Sequence, residues 1–153
     1  MFLTVHASSG LFIGSQISTP WLAFLLGLIS HLIIDAIPHG DESLAEKWSG
    51  ATKIKKLSLI VAVDMIGVFF LSYWLISGDF ADLSPAVLAA LIGSILPDYI
   101  WGLHEITKDK ISGWISSHIL NWFHQLIPWR IPFLHGLLIQ SATLAIFVFL
   151  LIN

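Results

Sequence analysis

The chain has 153 residues, of which 56% are hydrophobic and only 11% charged, and its mean hydropathy is +0.85. Soluble domains carry ~25% charged residues, so this composition predicts an integral membrane protein folded as a single domain over residues 1–153. A net charge of −3 makes nucleic acid an unsuitable partner, and the absence of cysteine excludes disulfides and thiolate chemistry.

The first residues, Met1 to His6, lack a positive region and a small-residue cleavage site, so they read as a mature start. Residues 2–17 predict a short helix rich in Ser8, Ser9, Gly10, Gly14 and Ser15, suited to close helix packing. Ser18-Thr19-Pro20 is a helix start, with hydroxyl caps before a proline in the first turn. The second helix is expected from Pro20 to Ile37, near the minimum length for a span. His31 and Asp35 lie four apart near its end and share one face; Pro38 stops it, and His39 and Asp41 follow in the turn.

A polar loop is expected from Pro38 to Ala51, carrying Asp41, Glu42, Glu46, Lys47 and Trp48, with Lys53, Lys55 and Lys56 opening the next helix. This cationic cluster places that end in the cytoplasm. A third helix, Lys53 to Ile76, is the clearest span, with Asp64 ~12 Å deeper than Lys56 at 1.5 Å per residue. A carboxylate so placed costs ~2.5–3.5 kcal/mol on insertion scales and must face the bundle. After the acidic loop Gly78 to Asp82, Ser84-Pro85 repeats the hydroxyl–proline start. The fourth helix runs to Gly102, with a kink expected at Pro97 before Asp98. Residues 112–127, with Trp114, His118, Asn121, Trp122, His124 and Gln125, predict an interfacial or re-entrant helix. His104 reads as a solvated loop residue. A last apolar helix, Pro132 to Leu151, begins with His135-Gly136. The expected architecture is an all-α polytopic bundle: about four spanning helices, a short N-terminal helix and an interfacial or re-entrant one.

With the lysine-rich ends on one side, His6, His31, Asp35, Asp98, His124 and His135 fall in one layer, and Asp64 lies deeper. Imidazoles and carboxylates in a low-dielectric layer suit a divalent metal, Zn or else Mn or Fe, which would offset the cost of burying the acids. Such an ion would activate water for hydrolysis, with Asp64 or Asp35 orienting water or acting as base. There is no Gly-x-Ser-x-Gly elbow and no glycine-rich phosphate loop.

Ser30-His31-Leu32-Ile33-Ile34-Asp35 resembles the SHxxxD element of the membrane-bound metal-dependent hydrolase family (YdjM-like). Thr4-Val5-His6 with Gly10 is similar to that family's N-terminal start, Leu96-Pro97-Asp98 to its Leu-Pro-Asp motif, and Phe133-Leu134-His135-Gly136 loosely to its His-rich helix start. The chain departs from the pattern after Asp98, where Tyr99-Ile100-Trp101 stands in place of a further Asp and His, and in the early position of its His-x-x-x-Asp segment. As a distant or rearranged relative, it is expected to hydrolyse a lipid or phosphoester near the cytoplasmic leaflet of a bacterial or archaeal cytoplasmic membrane. The competing expectations are a small proton- or cation-coupled transporter, in which Asp64, Asp98 and the histidines line a path, and a non-enzymatic membrane scaffold.

Overall fold

The computed structural model describes residues 1–41 and 48–153, and these form an all-helical bundle without strands. The helices are α1 (Leu3–Gln16), α2 (Pro20–Asp35), α3 (Gly50–Ser77), α4 (Pro85–Thr107), α5 (residues 110–124) and α6 (Phe133–Ile152). Within α5, two α-helical turns flank a π turn at Ser116–Leu120. Glu42, Glu46 and Lys47 of the expected polar loop lie outside the described residues.

Three helices, α3, α4 and α6, are long and apolar enough to cross a membrane, and they mark the protein as membrane-embedded. The second helix, expected as a fourth span, has 16 residues, or ~24 Å of helix, short of the ~20 residues a full crossing needs. The outward faces of α3 and α6 carry large apolar side chains uncovered by protein, among them Leu59, Phe69, Phe70, Leu134, Leu138 and Phe149. Hydrocarbon accommodates such a surface; water does not.

The two hydroxyl–proline starts are real helix starts. Ser84 Oγ accepts the Val87 N–H at 3.2 Å, whereas Thr19 makes no capping bond. Helix α4 runs unbroken through Pro97, five residues further than Gly102. It ends at Lys108 in the left-handed conformation, and Asp109 caps the start of α5.

Helices α1, α2 and α4 form the inner core, and small residues let them approach closely. Ala23, Ala86 and Ala90 are buried together. A Cβ on Gly27 would fall 2.3 Å from the Ala90 carbonyl oxygen, so only glycine permits this crossing of α2 over α4. Without a hydrophobic drive between helices in lipid, such close backbone packing holds the bundle. Helix α3 leans on α1, where Val68 packs with Leu3 and Ala7.

Candidate metal centre

The close crossing of α1, α2 and α4 brings His6, His31, Asp35 and Asp98 together, and α5 adds His124. Two groups of ligand-type atoms result, His6–His31–Asp98 and Asp35–His39–His124. Within each group the atoms all lie within 4.8 Å of one another. Asp35 joins them. Its Oδ1 is 3.3 Å from His6 Nε2 and 3.8 Å from His39 Nε2; its Oδ2 is 3.4 Å from His124 Nδ1 and 3.7 Å from His31 Nε2. Asp98 closes the other side, 3.9 Å from His31 Nε2 and 4.0 Å from His6 Nε2. The rings of His6 and His31 are stacked with centroids 3.9 Å apart.

Backbone carbonyls set the tautomers of two of these imidazoles. A carbonyl can only accept, so His31 Nδ1–H donates to Ser94 O at 2.7 Å and His39 Nδ1–H donates to Ile37 O at 2.8 Å. His31 then presents Nε2 to the cluster, the arrangement found for metal-ligating histidines, whereas His39 Nε2 is already engaged by Asp41 Oδ1 at 2.8 Å and the Met1 amino nitrogen at 2.9 Å. His6 is fully buried, and neither of its ring nitrogens has a hydrogen-bond partner; Asp98 Oδ2 has none either. Buried polar atoms left so are costly and ask for an explanation. A cation among them would supply one, and the N/O donor set suits Zn, Mn or Fe.

The electrostatics favour positive charge at this spot. The Met1 amino nitrogen lies 2.5 Å from Asp35 Oδ1, 2.9 Å from His39 Nε2 and 3.5 Å from Asp41 Oδ2. Burial alone would push its pKa down, but Asp35, Asp41 and Asp98 raise it to about 11. Asp41 shows the converse. Burial pushes its carboxyl up, and the Met1 ammonium with the 2.8 Å contact to His39 Nε2 outweighs this and brings it to about 2.

Two of the expected site residues stand apart. Asp64 belongs to neither group. Its carboxylate accepts from the Leu3 and Thr4 N–H groups and from Thr4 Oγ1, so it caps the first turn of α1. His135 is exposed and also belongs to neither group. The next residue, Gly136, is the one facing inward, where a Cβ would fall 1.8 Å from the His39 carbonyl oxygen. One helical position is a rotation of ~100°, which turns His135 away. His104 lies in the last turn of α4, half-buried against Gly113, and is not a loop residue.

His39 and Gln140 are the residues that sequence reasoning undervalued. His39 is 1% exposed and sits within the cluster. Gln140, buried in α6, donates to the His39 carbonyl at 3.0 Å and accepts the Phe2 N–H at 2.8 Å, tying α6 to both the turn and α1. For His39 the available signal was its position four residues after Asp35; for Gln140 it was a lone amide in an otherwise apolar helix.

His31, Asp35, His39, Asp98 and His124 line a cavity of about 800 Å³, walled mainly by apolar side chains of α3, α4 and α5; His6 lies buried behind them. Toward the opposite end of the bundle the core is apolar, built from Leu11, Leu75, Ala81, Val87 and Leu151. Compared with known proteins, the chain matches no protein-family model, no curated protein and no solved structure.

Proposed function

We propose that this protein is a membrane-embedded, metal-dependent hydrolase of phosphoesters, working at the cytoplasmic side of a bacterial or archaeal cytoplasmic membrane. The observation that carries the reading is the convergence of four imidazoles and two carboxylates from four helices and the turn after α2, with His6 and Asp98 holding buried atoms that make no hydrogen bond. The lysines at the start of α3 and the end of α4 support the orientation. The apolar core beyond the cluster supports a one-sided site over a conduit.

His6, His31, Asp98 and Asp35 would hold the ion. When bound, a divalent cation supplies Lewis acidity and lowers the pKa of water. The remaining work falls to the chain itself. His124 is only half-buried, lines the cavity and is oriented by Asp35 at 3.4 Å, so it takes the proton from water and returns it to the leaving oxygen. Asp41 and the Ile37 carbonyl hold the ring of His39 beside it. In the net reaction a water oxygen joins phosphorus, the bond from phosphorus to the leaving oxygen breaks, and that oxygen gains a proton. No redox change is involved.

Elemental analysis of detergent-purified protein, beside a His31→Ala/Asp35→Ala variant, tests the reading. About one equivalent of Zn, Mn or Fe, lost in the variant, is the expected result. A second equivalent would move His124 from proton handling to ion binding, with Asp35 and His39 beside it. Folded, metal-free protein whose melting is unchanged by added metal or chelator would overturn the reading.

A further inference from the structure

The cavity beside the cluster is shaped for a chain. On α3, Ile54, Leu57 and Val61 line it at helical spacing, and Asp64 continues the same stripe. This stripe faces into the bundle, yet Ile54 and Val61 are exposed. Opposite them stand Leu103 of α4 and Phe123 of α5.

Helix α3 rests on α1 and packs against α4 through Leu75 with Val87; nearer the cavity, Lys53 Nζ lies 5.8 Å from the Trp101 ring, and two polar side-chain contacts reach across. Tyr99 Oη lies 2.9 Å from Met65 Sδ at one level, and Lys53 Nζ lies 3.0 Å from Glu105 Oε2 at another. The α3 and α4 positions between these contacts line the cavity, and Leu103 there is 52% exposed. The two contacts therefore frame a side window between helices that are both long enough to cross the membrane.

We propose that one alkyl chain of a membrane lipid phosphoester enters through the window between α3 and α4 and lies in this cavity, its phosphoester against the His/Asp cluster. The phosphoester end rests on the hydrolase reading above; the chain end rests on the cavity alone. The character of the wall selects a lipid over a soluble phosphoester, and the volume accommodates its chain. The walls are apolar and continuous with the lipid-facing surface of α3. The cavity volume lies within the ~300–1,000 Å³ range of ligand pockets. Asp98 lies seven residues from Glu105, ~10 Å along α4, and Tyr99, Trp101, Gly102 and Leu103 between them line the cavity. Lys53 and Lys108, both paired with Glu105, stand at the rim where an anionic headgroup would pass.

The test uses the full chain in lipid nanodiscs and a long-chain alkyl phosphate carrying a diazirine within its chain. After irradiation, peptide mass spectrometry reads which residues are labelled. The expected labels are on Leu57, Val61, Leu103 and Phe123, with loss of these labels in Val61→Trp and Leu103→Trp. Thermal unfolding in detergent serves as the folding control for both variants. Labels confined to the outer face, at Leu59, Phe69 or Phe70, would overturn the proposal in the wild-type protein alone. So would cavity labels that persist in both folded Trp variants. The two readings fail separately. Metal-loaded protein that cleaves a short soluble phosphoester but takes no label in the cavity sinks the lipid proposal only. Metal-free, inactive protein labelled at the four wall residues sinks the hydrolase reading and leaves a lipid-chain site.

Discussion

Asp64→Ala separates a structural anchor from a catalytic base. Asp64 accepts two amide donors of the first turn of α1 and the Thr4 hydroxyl. Its removal orphans the Leu3 and Thr4 N–H groups, at about 1 kcal/mol each for net lost hydrogen bonds. It also removes a negative charge from a helix N-terminus, worth ~0.3–1 kcal/mol. The expected loss is therefore about 2–3 kcal/mol. Asp64→Asn keeps one acceptor oxygen and most of the geometry, so its loss should be about half as large. Equilibrium unfolding of the three proteins in detergent measures both. Because α1 carries His6, metal content should fall with stability in the alanine variant and recover in the asparagine variant. If both variants keep wild-type stability while hydrolysis is abolished in both, the capping argument is wrong and Asp64 is the base.

Other outcomes follow from single contacts. Gly136→Ala drives a methyl group into the His39 carbonyl and should cost about 1–3 kcal/mol by overpacking, read as a lower melting temperature with loss of bound metal; Gly102→Ala, with nothing within 4 Å of the new Cβ, should be neutral or stabilising. Gln140→Leu leaves the Phe2 N–H and the His39 carbonyl unpaired and should destabilise by about 2 kcal/mol in the same unfolding assay. Asp109 caps α5, and its hydrogen bonds to Ser112 hold its carboxyl at about 2, below the usual 3.8. Because the folded value is the lower one, the cap stabilises fully above about pH 4 and is lost as pH falls toward 2. A carboxyl carbon titration of Asp109 with its midpoint near 3.8 would refute this.

Much of the site could be read along the chain because it repeats at helical spacing. His31, Asp35 and His39 are successive i, i+4 neighbours, and their proximity needs only a helix and the turn after it. Apolar run lengths likewise set the all-helical class, and Ser84-Pro85 set the start of α4. The layer of His6, Asp98 and His124 followed from counting helices and placing the lysine-rich ends together.

The rotation of each helix about its own axis was decided elsewhere. His135 and Gly136 are equally near the cluster in sequence, and only the fit of α6 against the His39 carbonyl turns the glycine inward and the histidine out. Asp64 reads as a reactive acid until the N-terminus of α1 is seen to consume its oxygens. Gln140 has no meaning until Phe2 and His39 stand on either side of it. Helical periodicity is a local property, carried by a few neighbouring residues. The phase of one helix against another depends on packing that sums over distant small residues such as Gly27 and Ala90, so it exists only in the assembled bundle.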